Sequence, residues 1–375
     1  MRQPQELLPY ELISRMRQNQ VKTLNNIAEE RPSPTCVAVG VFDGVHIGHQ
    51  AVLRQAVAGA REQGLVSAAL TFDPHPARVV QPRRAPLLLT TLSERAALIA
   101  ELGIEAVVVA KFDRAFADLT PEEFARCVLV EQLRARCVVA GEGFIFGRGA
   151  SGNVAVLAEL GERLGFRATA VKRVTADGGE VSSTAVRDLV SAGDLEGAAR
   201  LLGHHYIIAG PVEPGARRGR ELGFPTANIC VAPEKLLPPD GVYAARARLE
   251  ADPLCAQPGD HGGGAVGGED ARGARENGRA ISAVTAGEAM PAVMNIGVRP
   301  TFAGARRRRA PGDRCVEAHI MGAEPGDLYG RRLRLDVVGR LREEKRFPSP
   351  QALAEQIRRD IARAQEMLKD REQRH

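Results

Sequence analysis

Between Thr35 and Arg173, short β-branched runs alternate with helix-length amphipathic segments. The runs Cys36–Val41, Leu65–Phe72, Ala106–Ala110, Cys137–Ala140 and Ala168–Val174 predict strands. His49–Gln63, Ser93–Leu102, Pro121–Leu133 and Val154–Leu164 predict the helices between them. Alternation of this kind is the pattern of a parallel sheet covered by helices, the α/β class. Two further short helices are expected over Ser183–Gly203. Beyond His204 the period falls to two, in Tyr206–Val212, Gly241–Leu249, Ala292–Ile296, Cys315–Met321 and Arg332–Val338. No helix separates these segments, so they predict a small antiparallel barrel or sandwich. A last helix, Ser349–Lys369, carries Leu353, Ile357, Ile361 and Met367 at helical spacing. The change of period puts a boundary near 190–205.

Composition narrows the class. At 375 residues the chain has room for two or three compact units. With 44% hydrophobic and 26% charged residues it can bury an ordinary core. Aromatic residues make up 4% and Trp is absent, which argues against a base-stacking platform for single-stranded nucleic acid. A net charge of +5 suits anionic small ligands such as nucleotides as well as it suits nucleic acid. Six dispersed cysteines with no C-x-x-C pair predict free thiols rather than a zinc ribbon or a disulfide framework. No secretory pattern and no run of ~18 apolar residues is found, so a cytoplasmic protein without a membrane partner is expected. Ala251–Ala289, with nine glycines and no aromatic residue, predicts a flexible insertion within a hairpin. Arg306–Arg309 predicts a solvated polar loop, the alternative being a patch for nucleic acid or an acidic partner.

Four segments carry chemistry. Gly40-Val41-Phe42-Asp43-Gly44-Val45-His46-Ile47-Gly48-His49 follows a buried strand and opens a helix, whose amides favour phosphate. Two histidines three apart on that turn would face one side and could donate to phosphate oxygens; the bland alternative is a pair of core or metal-binding histidines. Ser182-Ser183-Thr184 with Arg187 one turn later suits a second phosphate cradle, although Ser-Ser-Thr alone is an ordinary helix cap. In the second half, Gly215, Gly219 and Gly223 precede Phe224-Pro225-Thr226-Ala227-Asn228. Thr226 and Asn228, alternating on an extended segment, would face the same way and offer oxygen ligands to Mg²⁺; the alternative is a glycine loop entering a strand. Glu317 and His319 would share a strand face opposite Val316 and Ala318. Glu317 is either a surface charge or a general base for a hydroxyl proton.

Together with Thr71-Phe72-Asp73-Pro74-His75-Pro76 and Phe144-Ile145-Phe146-Gly147-Arg148-Gly149, the first two motifs resemble the FAD synthetase module of the bacterial bifunctional riboflavin kinase/FAD synthetase family. Leu222-Gly223-Phe224-Pro225-Thr226-Ala227-Asn228 and Asn295-Ile296-Gly297-Val298-Arg299-Pro300-Thr301-Phe302 resemble its riboflavin kinase module. The resemblance implies an α/β nucleotidyltransferase (Rossmann-like) domain followed by a six-stranded antiparallel β-barrel with a C-terminal helix. The expected division is an N-terminal extension (1–34), an FMN adenylyltransferase domain (35–203) and a riboflavin kinase domain (204–375). His46 and His49 would stabilise the transferring phosphate, with Gly40, Phe42, Asp43, Gly44, Ser183, Thr184 and Arg187 at ATP. Pro74, His75, Phe144 and Phe146 would meet the flavin. In the kinase, Glu317 would be the base, Gly215, Gly219, Gly223, Pro225, Thr226 and Asn228 would bind ATP, and Thr226 and Asn228 would hold Mg²⁺. Substrates and products would be ATP, riboflavin, FMN and FAD, and the chain a monomer or weak homo-oligomer. In four places the sequence departs from the family pattern: Val41, Gly143, the long insertion over 251–289, and Met321-Gly322. Two alternatives stand beside this reading, a kinase whose first half adenylylates weakly and a flavin-binding regulator without turnover.

Overall fold

The computed structural model describes residues 11–14, 22–25, 33–214, 223–250, 289–298, 314–322 and 328–372. The insertion expected over 251–289 lies outside these apart from Ala289, as do Arg306–Arg309, Gly215 and Gly219.

The first half is a parallel sheet with helices on both faces. Its strands are β1 (Glu11–Ser14), β2 (Lys22–Asn25), β3 (Thr35–Val39), β4 (Val66–Asp73), β5 (Ala106–Lys111), β6 (Ala135–Gly141) and β7 (Arg167–Val171), in the order β2-β1-β5-β4-β3-β6-β7. Strands β3 to β7 are mutually parallel, while β1 pairs antiparallel with β5 and β2. The region expected to be an N-terminal extension thus supplies the last two strands on one side of the sheet, β2 at the edge. At four residues each they are too short to show a period in the sequence.

β3 is buried along its whole length. Cys36 and Ala38 face α1 (Ile47–Gln63), and Val37 and Val39 face the opposite layer. Burial on both faces is why it reads as a continuous apolar run. The other helices of this half are α2 (Pro76–Val80), α3 (Leu92–Glu101), α4 (Arg114–Ala117), α5 (Pro121–Glu123) and α6 (Val154–Leu164). α5 runs directly into a π-helical stretch, Phe124–Gln132, so the single helix expected over Pro121–Leu133 is split by its hydrogen-bond pattern. Strand order reverses between β3 and β6, and a switch of that kind opens a crevice at the carboxyl ends of the two strands.

After a two-stranded ribbon, β8 (Thr175–Ala176) and β9 (Gly179–Glu180), come α7 (Ser183–Ala192) and α8 (Leu195–Leu202). The second half is a closed barrel of β10 (Tyr206–Glu213), β11 (Ala227–Ile229), β12 (Gly241–Glu250), β13 (Met290–Val298), β14 (Arg314–Ile320) and β15 (Arg332–Glu343). The C-terminal helix α9 (Pro350–Glu372) packs outside it. β10 ties the halves together. Tyr206 and Ile208 point into the barrel core that also takes Val186, Leu195 and Leu202 from α7 and α8. Ile207 and Ala209, on its other face, join the core beneath α1 and α3.

Candidate active sites

The first cleft, of about 380 Å³, opens at the switch point. Its walls include Gly40, Phe42, His46, His49, Gly143 and Ser183, so much of the expected phosphate machinery converges there. His46 is the N-cap of α1, and its Nδ1 accepts from the His49 amide at 3.3 Å. That bond assigns the hydrogen of the neutral ring to Nε2, leaving a donor for a ligand. Gly48 is small for the same reason: a Cβ there would fall 3.2 Å from two atoms of the His46 ring. The His46 and His49 rings stack at 3.6 Å between centroids and 18° between planes. Burial lowers the His46 pKa to about 4 despite the pull of Asp43. Burial, and then the charges of His46, Arg95 and Arg187, hold His49 well below its ordinary value. His49 Nδ1 is buried without a hydrogen-bond partner. The pair is therefore two neutral imidazoles, and no group of three or more His, Cys, Asp or Glu able to hold a metal occurs among the described residues.

The turn before α1 is strained: Phe42 and Val45 both have positive φ, 54° and 42°. Backbone of this kind persists only where its surroundings hold it. Asp43 supplies that hold. Its carboxylate accepts from the amides of Leu89 and Thr90 (3.1 and 2.9 Å) and from Thr90 Oγ1, and it pairs with Arg187. Gly44 donates to Thr90 Oγ1, Gln50 Nε2 to Val45 O, and Ser183 Oγ to Asp43 O. Asp43 and Arg187, expected to face nucleotide, thus spend their charges on each other; Arg187 Nε also donates to Leu87 O. Thr184 is exposed on the first turn of α7. Gly40 admits the Phe42 ring, whose Cε1 would lie 2.8 Å from a Cβ there.

On the expected flavin side, Pro74 follows a cis peptide bond, and His75 caps α2 by accepting from the Ala77 amide. Phe144 lines the cleft, but Phe146 is 8% exposed and packs against Phe124 in the core. Phe146 supports Phe144, stacked 5.4 Å away, from beneath. Arg173 lies over Gly143, with Nη2 3.2 Å from where a Cβ would be. Val41 packs against the core, and its carbonyl accepts from Arg95 and Thr71. Arg95, fully buried on α3, fastens Val41 O, two residues past β3, to Phe72 O at the end of β4, and nothing in an amphipathic helix pattern marks it.

The second cleft, about 320 Å³, lies between the outer wall of the barrel and α9. Along β14, Val316, Ala318 and Ile320 are buried while Glu317 and His319 take the other face, as the alternation predicts. The register sets Glu317 opposite Asn228 of β11 and Asn295 of β13. Glu317, Thr226 and Asn295 line the cleft with Arg342, Phe347 and Asp360. His319 Nδ1 meets Pro225 O at 2.9 Å and the ring stands edge-on to Phe224, which fixes the turn that follows Gly223. Thr226, Asn228 and Glu317 offer hard oxygen atoms on one face, a donor set that fits Mg²⁺ bridged to phosphates. Met321 packs into the small core beneath α9. Asn295, Arg342 and Asp360 are additions from the structure. Asp360 lies on the buried face of α9 in line with Leu353, Ile357 and Ala364, so a lone carboxylate in an apolar stripe was the signal that could have found it.

A cleft at a sheet switch point and another on a barrel wall, in one chain, define a two-module group-transfer enzyme. A model described as FAD synthetase matches residues 28–185, and one described as riboflavin kinase matches residues 202–368. A bifunctional riboflavin kinase/FMN adenylyltransferase of Escherichia coli (strain K12) is 32% identical over 348 residues, covering 93% of this chain and 97% of that one. Its namesake in Bacillus subtilis (strain 168) is 31% identical over 338 residues, covering 90% and 93%. A crystal structure described as a macrolide-efflux protein from Streptococcus pneumoniae superposes with a TM-score of 0.67 at 25% identity, covering 90% of this chain and 96% of that one. The chain belongs to the bifunctional riboflavin kinase/FMN adenylyltransferase family. Among the described residues, no helix is long and apolar enough to cross a membrane.

Proposed function

We propose that the chain makes FMN and then FAD at two separate sites. In the barrel module, 204–375, the ribityl hydroxyl of riboflavin attacks the γ-phosphorus of ATP, its proton passes to Glu317, and ADP leaves. Asn228 and Asn295, on either side of Glu317 in the sheet, support orienting that carboxylate. Thr226 and Asn228 would hold Mg²⁺, which supplies charge neutralisation between the phosphates, with Gly223 and Pro225 shaping the nucleotide turn.

In the α/β module, 35–203, an FMN phosphate oxygen attacks the α-phosphorus of the nucleotide and pyrophosphate leaves. His46 and His49 neutralise the charge that develops there, and the start of α1 adds its amides. Gly40, Phe42, Gly44, Ser183 and Thr184 hold the nucleotide, while Asp43 and Arg187 fix the turn. Pro74, His75 and Phe144 meet the flavin, with Phe146 behind. The enzyme acts on small molecules in the cytoplasm as a monomer or weak homo-oligomer, without nucleic acid.

The observation that carries the reading is the convergence, in one cleft, of stacked neutral imidazoles at a helix start and, in another, of the Glu317 carboxylate with Thr226 and Asn295. Incubating the protein with riboflavin, ATP and Mg²⁺ and separating the flavins tests it. FAD is expected. FMN alone would leave only the kinase, and unchanged riboflavin would defeat both.

A further inference from the structure

Lys235 lies between β11 and β12, in the barrel half, yet its ammonium is spent on the other half. It is fully buried and donates to Leu89 O at 2.6 Å and to Glu94 Oε2 at 2.7 Å, 4.6 Å over the ring of Tyr206. Glu94, on α3, accepts from the Ala209 amide of β10 with its other oxygen. Beside this pair the chain around Leu88 runs as a short bridge along Lys235. The Leu88 amide donates to Glu234 O, and the Leu236 amide donates to Leu88 O, both at 2.8 Å.

What Lys235 grips is the segment that holds Asp43. The carbonyl of Leu89 accepts from Lys235, and the amides of Leu89 and Thr90 donate to Asp43. Two hydrogen bonds therefore separate a barrel ammonium from the strained turn that presents His46. An apolar side chain would join two packed surfaces at lower cost than a buried charge, because desolvation offsets most of what a buried pair gains. What the pair provides is a fixed position for Leu89.

We propose that Lys235 is a positioning residue for adenylyl transfer: a group of the kinase module sets the 88–90 segment, through it Asp43, and through Asp43 the turn that carries the nucleotide site. This rests on the adenylyl-transfer reading above.

The test is Lys235→Met in the full chain, with both half-reactions measured on one preparation well below its melting temperature. A binding turn that loses its preorganisation gives up affinity for its ligand. The value of kcat/KM for ATP in the conversion of FMN to FAD is expected to fall about tenfold, mostly through KM. Riboflavin phosphorylation, read in the module that contains Lys235, is expected to stay within about twofold of wild type, which also reports that the barrel is folded. Hydrogen exchange should quicken in residues 42–45 and 88–90 and not in β12 to β15. Equal loss of both activities, or a lowered melting temperature with unchanged KM, would reduce Lys235 to a fastening between modules and overturn the proposal. If Lys235→Met does not fold, Lys235→Leu, which leaves Glu94 its contacts with the Ala209 and Thr91 amides, carries the same expectations. Wild-type protein that forms no FAD would defeat the adenylyl-transfer reading, whereas unchanged exchange at 42–45 defeats the positioning role whatever the wild type makes.

Discussion

The rings of His46 and His49 lie face to face, 3.6 Å apart, and burial keeps both uncharged near neutral pH. The unfolded chain protonates a histidine near pH 6.5, whereas folded His46 does so only near 4. Between those values the unfolded state binds more protons, so stability falls as pH drops from 6.5 to 4 and is insensitive to this group above 6.5. For His46 alone the loss approaches roughly 3 kcal/mol at the lower end. Denaturant unfolding of wild type and His46→Asn, which keeps an N-cap acceptor, should give a flatter profile for the variant below pH 6.5. Parallel profiles would contradict a buried neutral His46.

Glu317 shares no cleft with the histidines. Glu317→Ala is expected to lower riboflavin phosphorylation by about 10²- to 10⁴-fold, the range for a lost general base, and to leave FAD formation from supplied FMN within about twofold of wild type. Assaying the two conversions separately checks this. Parallel loss would mean that the sites are not independent.

Gly48 separates stability from activity. A Cβ at this position would meet the His46 ring at 3.2 Å, so the imidazole must move by a few tenths of an ångström. Alanine is the better helix former, by up to about 1 kcal/mol. Gly48→Ala should therefore leave the melting temperature unchanged or raised while FAD formation falls about tenfold, with the kinase unaffected. A fully active variant would show that the His46 orientation does not matter.

These residues show where the sequence is informative. The doubly wound sheet was legible because β3 to β7 are apolar runs separated by amphipathic helices, and the outward face of Glu317 because β14 keeps a strict period of two. β11 was not: Ala227–Ile229 is three residues long, below the length at which alternation can be counted. The motif alone points Asp43 at the nucleotide, whereas its partners Leu89, Thr90 and Arg187 come from 46 to 144 residues away. Phe146 has the same explanation, since only the fold brings Phe124 against it at 5.3 Å. The joining of the halves escaped for a different reason. β10 reads as an ordinary barrel strand, and nothing in its alternation tells that its second face, Ile207 and Ala209, is covered by another core.

Arg342 and Asp360 join the barrel wall to α9 at the edge of the kinase cleft. The Arg342 Nε lies 3.1 and 3.0 Å from the two carboxylate oxygens, Nη2 is 2.8 Å from one of them, and Gln356 Nε2 donates to the other. Asp360 is 4% exposed, and the guanidinium stands 5.5 Å over the ring of Phe347. Asp360→Asn keeps the shape but turns an amide donor toward a guanidinium that has only donors. Breaking a buried pair costs about 3–5 kcal/mol, and partial exposure of Arg342 places this one near 3 kcal/mol. Because Arg342 also lines the cleft, the variant should show a lower melting temperature together with a severalfold higher KM for riboflavin, while KM for FMN in the other module is unchanged. The replacement of both residues by leucine should recover the stability without recovering the KM, since the hydrocarbon restores the packing of α9 but supplies no cation to the cleft. Recovery of both would assign the pair to packing alone.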